Sequence, residues 1–265
     1  MVAETLTVLS LPYPNRDNRT VRVYVPKHEE GEKLPVVYMT DGQNLFEDDT
    51  VKFGCWYTRE SVREEQENSG KGVIIVGIHN DEGGDMQRTR ELIPKAIGEP
   101  ITPPDMPEEI KKQMTPEGEI FADFIVNTVM PTVEKQFPVK TGRENTAFCG
   151  SSCGGMMAFF IAVNYPDVFC ISGVFSPVFF FFRQDDLKKW VQSKLQENMP
   201  YLYIYTGGGD ELEKQIWQSV EQTYDNILIE CYPVDKLNEI IMPEYRHHES
   251  AWEPIFKDFL HTFLF

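Results

Sequence analysis

Thr146-Ala147-Phe148-Cys149-Gly150-Ser151-Ser152-Cys153-Gly154-Gly155-Met156 is the stretch on which the fold turns. Thr146 to Cys149 is a short apolar run with strand character. Met156 to Val163, closed by Tyr165-Pro166, reads as a helix. Between them lies a G-x-S-x-G pattern centred on Ser152. A serine at a sharp strand-to-helix turn has strained dihedrals, and small neighbours such as Gly150 and Gly154 avoid clashes there. The turn also sets the hydroxyl at a helix N-terminus, where backbone N–H groups point at a reacting carbonyl. A glycine-rich turn with two capping serines uses the same letters. The strand before and the helix after separate the two readings.

Outward from this point, strand and helix patterns alternate. Thr5 to Leu11 and Thr20 to Pro26 read as an opening hairpin, and Pro35 to Thr40 and Val73 to Ile78 as buried strands. Cys170 to Phe175, Tyr201 to Tyr205 and Ile227 to Tyr232 complete the strand set. Trp56 to Gln66, Ile120 to Val129, Leu187 to Leu195, Leu212 to Tyr224 and Trp252 to Phe263 have helical spacing. Alternation of this kind implies a mostly parallel central sheet with helices on both faces, and one α/β domain over 1–265. Residues 81–118 hold six prolines, many charges and little periodicity, which suggests a lid or a surface insertion. In such sheets chemistry gathers at the carboxyl ends of the strands.

Composition narrows the partners. The formal net charge is −17 in 265 residues, which repels nucleic-acid phosphates and anionic lipid headgroups. Neither nucleic acid nor membrane is therefore an expected partner. Cys55, Cys149, Cys153, Cys170 and Cys231 are odd in number and scattered, so neither a disulfide framework nor a zinc site is expected. No cofactor and no metal is expected. Met1-Val2-Ala3-Glu4-Thr5 lacks a basic stretch followed by an apolar one, so the expected location is cytoplasmic. Secretion is the alternative, if a leader has been removed.

A serine hydroxyl needs a base to take its proton. When the nucleophile lies on such a strand-to-helix turn, the acid and then the histidine follow it in the chain. His28 and His79 precede Ser152, and His261 sits inside the last helical pattern. His247 is the candidate base, with its neighbour His248 as the alternative. The acid should follow the strand Tyr201 to Tyr205, which runs into Thr206-Gly207-Gly208-Gly209-Asp210-Glu211. A glycine run lets a carboxylate turn back toward the imidazole, so Asp210 is the candidate acid and Glu211 the alternative, one of the two capping the next helix. The backbone N–H of Cys153 supplies one oxyanion donor. The N–H of Gln43, in the Asp41-Gly42-Gln43-Asn44 loop, is the candidate for the other. Asn44, in the same loop, is a candidate substrate contact.

At these residues the sequence resembles the esterase family of α/β hydrolases that includes esterase D, bacterial siderophore esterases, and feruloyl and acetyl-xylan esterases. The similarity lies in Tyr38-Met39-Thr40-Asp41-Gly42-Gln43-Asn44-Leu45-Phe46, Val76-Gly77-Ile78-His79-Asn80, and Arg90-Glu91 ahead of Pro94. It continues in Gly150 to Gly155, Tyr165-Pro166-Asp167-Val168-Phe169, Val174-Phe175-Ser176-Pro177 and His247-His248-Glu249-Ser250-Ala251-Trp252. The resemblance implies an α/β-hydrolase fold and a serine carboxylic-ester hydrolase. It departs from the family pattern in Cys153 for a frequent methionine, His248 for an asparagine and Asp210 where glutamate is usual. As partner the resemblance implies a small-molecule or oligosaccharide ester substrate, and because a net charge of −17 is poorly suited to attract anionic ferric catecholates, feruloyl or acetyl esters of plant carbohydrate are expected. Alternatives are a siderophore trilactone, a thioester, or binding without catalysis. Arg90 is a candidate for a local anionic or hydroxyl group of the substrate. The run Ser176 to Phe182 would give aromatic walls to a phenolic acyl group, with Phe179 as the candidate contact.

Overall fold

In a computed structural model of the chain, which describes residues 1–47, 54–81, 83–102, 106–113 and 115–265, the apolar runs pair into one eight-stranded sheet. β1 (Thr5–Leu11) and β2 (Arg19–Val25) form an antiparallel hairpin. β2 also pairs antiparallel with β4 (Ile74–Ile78). β3 (Val36–Met39), β4, β5 (Thr146–Ser151), β6 (Ile171–Phe175), β7 (Tyr201–Gly207) and β8 (Leu237–Met242) are parallel to one another. The order across the sheet is β1-β2-β4-β3-β5-β6-β7-β8. The central strands are buried along their whole length because helices cover both faces. This is the α/β-hydrolase fold.

The helices are α1 (Thr58–Ser69), α2 (Asp85–Leu92), α3 (Glu108–Gln113), α4 (Gly118–Phe124) and α5 (Met130–Gln136). After β5 come α6 (Cys153–Asn164), α7 (Gln184–Lys194), α8 (Glu211–Thr223), the one-turn α9 (Ile229–Cys231) and α10 (Glu249–Leu264). α1 and α10 cover one face over Val37, Met39, Phe175, Tyr203 and Tyr205. The other face carries α2, α4, α5, α6, α7 and α8 over Tyr38, Val76, Phe148 and Val174. α6 is apolar up to its final residue, Asn164, and eleven of its residues are buried, as a helix wedged between the sheet and its neighbours requires. Among the described residues, no helix is long and apolar enough to cross a membrane.

Two sequence expectations change. Ile227 to Tyr232 is not a strand. α8 runs on through a π turn at Tyr224–Leu228 into α9, burying Ile227 and Leu228 and leaving Ile229 44% exposed. A short apolar run carries no period long enough to tell the two structures apart. The last strand is Leu237–Met242 instead, and the histidine loop follows it. Nor is 81–118 simply draped over the surface. α2 delivers Glu91 to a buried two-bond pair with Arg19, and Leu92, Ile93 and Ile97 enter the core. The prolines at 103 and 104 lie outside the described residues.

Candidate active site

The end of β5 makes the turn that the G-x-S-x-G pattern implies. Ser152 has φ 61° and ψ −122°, a conformation that costs a non-glycine residue energy and persists only when its surroundings hold it. Here its N–H donates to the Phe175 carbonyl at 2.9 Å, and its own carbonyl accepts from Met156 N at 3.0 Å. Gly154 is obligatory at this turn: a Cβ there would lie 2.2 Å from Thr40 Oγ1. β3, β5 and β6 thus close around the turn and leave Ser152 at the mouth of α6.

His247 lies in the loop between β8 and α10. Its Nδ1–H donates to Glu213 Oε1 at 2.8 Å. The bonded carboxylate accepts only, so the imidazole presents Nε2 as its free acceptor. Glu213 is fully buried in the first turn of α8, and its Oε2 takes the Gly207 N–H at 3.1 Å and the Thr206 hydroxyl at 3.3 Å. Trp252 meets the imidazole edge-on, with ring centroids 5.0 Å apart, and anchors its own Nε1–H on Ser176 Oγ at 3.1 Å. The imidazole is therefore held in ring plane and in tautomer.

Asp210, expected against the imidazole, is elsewhere. It is the N-cap of α8, and its Oδ1 accepts from Glu213 N at 2.9 Å. Its Oδ2 accepts the backbone N–H of His247 at 2.8 Å. Burial raises the Asp210 carboxyl, but the N–H groups of Glu213 and His247 outweigh it and hold the group below its ordinary value. Asp210 thus fastens the histidine's backbone, and Glu213 holds its ring. Glu211 points to solvent and pairs with Lys214. The glycine run also works differently from the expectation. A Cβ at Gly207 would lie 2.3 Å from the Tyr245 carbonyl, and one at Gly209 2.5 Å from the Glu244 carbonyl. These glycines let the histidine loop lie flat against the end of β7. The Asp210-x-x-Glu213 spacing is that of a capping box, a sequence signal that could have pointed three residues further on.

A cavity of about 730 Å³ opens over these groups, lined by Ser152, His247, Asn44, Arg88, Glu249 and Trp252 among others. Gln43 is also in its wall, and its side chain donates to Asn80 Oδ1 at 2.9 Å. Asn44 donates to Glu249 Oε1 at 3.1 Å. Burial, the largest influence, and the nearby Asp41 push the Glu249 carboxyl up to about 7, against hydrogen bonds from its own N–H and from Asn44. Burial likewise lowers the His79 imidazole, another wall residue, to about 4, so it is neutral at pH 7. Two expected contacts are not in this cavity. Arg90 turns away to pair with Glu117, and Arg88, two residues earlier on the opposite side of α2, takes the wall position. Phe179 is wholly buried against Phe159 in the core. Nothing in the sequence marked Arg88; Glu249 stood inside the histidine segment without a role. Among the described residues, no group of three or more His, Cys, Asp or Glu side chains could hold a metal ion.

The fold is shared with several solved structures. The siderophore hydrolase EstB from Aspergillus nidulans is 20% identical with a TM-score of 0.70, over 97% of this chain and 94% of that one. The ferulic acid esterase AmCE1/Fae1A from Anaeromyces mucronatus is 19% identical with a TM-score of 0.62, over 99% and 91%. The BES protein from Bacillus cereus is 18% identical with a TM-score of 0.69, over 99% and 97%. No curated protein matches the chain significantly in sequence. A family model described as "Putative esterase" matches residues 14–257, nearly the whole length over which the strained serine turn, the buried glutamate and the histidine loop are assembled. By that match and this fold, the chain belongs to the esterase family of α/β hydrolases, a family of ester hydrolases.

Proposed function

We propose that the protein is a serine carboxylic-ester hydrolase working through an acyl-enzyme on Ser152, with His247 as base and Glu213 as the acid behind it. The observation that carries this reading is the Nδ1–H bond from His247 to a fully buried carboxylate, in the same cavity as a strained serine. Ser152 Oγ attacks the ester carbon as its proton passes to His247 Nε2. The carbonyl oxygen becomes an oxyanion facing the backbone N–H groups of Cys153 and Gln43. The alcohol leaves with the proton from His247. Water then attacks the acyl-enzyme, again giving its proton to His247, and the acid departs as that proton returns to Ser152. Glu213 stabilises the imidazolium at each stage without being protonated itself.

For the substrate, we favour a feruloyl or acetyl ester of a carbohydrate over a ferric catecholate. Asp41 and Asp81 line the cavity, and Arg88, the one arginine among its described wall residues, is occupied by Asp41. Such a wall disfavours a multiply anionic ligand. A siderophore ester remains the second reading because a siderophore hydrolase shares the fold at a TM-score of 0.70. The test has two steps. A fluorophosphonate probe should label the wild type and not Ser152→Ala. Feruloylated and acetylated oligosaccharides should then be turned over at least tenfold faster than a catecholate trilactone. No labelling of the wild type sinks the catalytic reading; faster trilactone turnover reverses the substrate preference.

A further inference from the structure

Arg88 takes no part in the proton transfers above, yet it bridges the two segments that carry the oxyanion donors. Its Nε–H donates to Asp41 Oδ1 at 2.6 Å, and its Nη2 to Asp41 Oδ2 at 2.8 Å. The same Nη2 reaches the Ser151 carbonyl at 3.3 Å. Asp41 follows β3 and opens the short 3₁₀ turn Gly42–Asn44, which holds the Gln43 N–H. Ser151 is the last residue of β5, directly before the nucleophile. A planar guanidinium with a rigid fork of donors can hold a carboxylate and a carbonyl at once; a lysine ammonium has no such fork.

The loop at Asp41 needs holding. Its φ of 54° lies in the left-handed region, unfavourable for a residue with a Cβ. Asp41 is 5% exposed, and besides Arg88 its Oδ1 accepts from Asn80 Nδ2 at 2.6 Å. Asn80 Oδ1 in turn accepts from Gln43 Nε2 at 2.9 Å. The path thus runs from the Gln43 side chain through Asn80 and Asp41 to Arg88, and ends on the backbone beside Ser152. Burial works against the charge on Arg88, but Asp41 more than offsets it, so the guanidinium stays protonated. The charged pair is closed on itself, and its hydrogen bonds tie one donor loop to the other.

We infer that Arg88 is a positioning residue: through Asp41 it fixes the Gln43 amide relative to the Cys153 amide, so that both donors meet the oxygen of the tetrahedral intermediate. This rests on the oxyanion roles proposed above. Donors aimed at the oxyanion act on the transition state more than on the bound ester, so their misplacement lowers kcat and leaves KM nearly alone.

Three variants test this with a nitrophenyl ester: Arg88→Lys, Arg88→Met, and Arg88→Met combined with Asp41→Asn. The single methionine change leaves Asp41 buried without its partner and is the one at risk of misfolding. The other two keep the charge or remove both charges. Arg88→Lys and the double variant should lose roughly 10- to 100-fold in kcat, with KM within about threefold of wild type. Phenylboronic acid, which forms a tetrahedral adduct on an active serine, should bind both variants more weakly by a similar factor. Wild-type kcat in both folded variants overturns the inference, as does a loss confined to KM or to melting temperature. The wild-type control separates the two failures. A wild type that neither hydrolyses the ester nor binds the boronate sinks the esterase reading itself. An active, boronate-sensitive wild type beside unimpaired Arg88 variants sinks only the role of Arg88.

Discussion

The turn at Ser152 and the loop at His247 lie at neighbouring points on one edge of the sheet, but they are held by different means. The serine turn is held mostly locally: its strained residue, its glycines and its helix are contiguous in sequence, and the contacts from Thr40, Asp41, Arg88 and Phe175 complete it from afar. The histidine loop is held almost wholly from outside. Its backbone is bonded by Asp210, its ring by Glu213 and Trp252, and its path is shaped by Gly207 and Gly209. A local device is robust to changes elsewhere; a tertiary one is exposed at every partner.

The largest effect should come from the local side. Ser152→Ala should remove about 10⁶-fold in kcat with the fold intact. A variant within tenfold of wild type would place the nucleophile elsewhere. On the tertiary side, Glu213→Gln should lower kcat by roughly 10²- to 10⁴-fold, because an amide cannot stabilise the imidazolium and permits the wrong tautomer. Asp210→Asn should cost less than about tenfold in kcat; asparagine caps a helix about as well as aspartate, so a stability loss of around 1 kcal/mol would come from the one N–H bond, to Glu213 or to His247, that a single amide oxygen does not keep. The reverse ranking in steady-state kinetics would return the acid role to Asp210.

Two further changes sharpen the contrast. Gly207→Ala should push the Tyr245 carbonyl and shift the histidine loop, and a misplacement near 1 Å costs on the order of 10²-fold in kcat. An alanine at 207 with unchanged kinetics would mean that the loop adapts. The smallest effect is on stability against pH. The folded chain keeps the Glu249 proton up to about 7, whereas the unfolded chain releases it near 4.5. The stability linked to this group is thus present below pH 4.5 and lost as pH rises through 7. Glu249→Gln lacks the term, so its melting temperature relative to wild type should rise between pH 5 and 8, by an amount equivalent to at most about 3 kcal/mol. A difference that stays flat across that range would show that Glu249 titrates normally.

The first seven strands and the turn at Ser152 could be read from the sequence because each is written in adjacent residues, whereas the eighth strand, Leu237–Met242, could not. Alternation and apolar runs follow from burial on a sheet, and G-x-S-x-G follows from the sterics of one turn. What tertiary structure decided is which of several neighbouring acids meets the imidazole. Asp210, Glu211 and Glu213 lie within one helical turn, and the capping-box spacing of Asp210 and Glu213 marks a helix start without saying which carboxylate meets the imidazole. Helix geometry does. The cap residue's carboxylate turns back to the backbone N–H groups at the helix start. The next residue faces solvent, and the third faces inward beneath Thr206 and Gly207. The same holds for Arg88 and Arg90. Two residues apart on α2, they point in directions about 200° apart around the helix axis. One therefore reaches Asp41 and the other Glu117. Side-chain direction on a helix is fixed only once the helix is docked, and here the docking selected the partners of both His247 and Asp41.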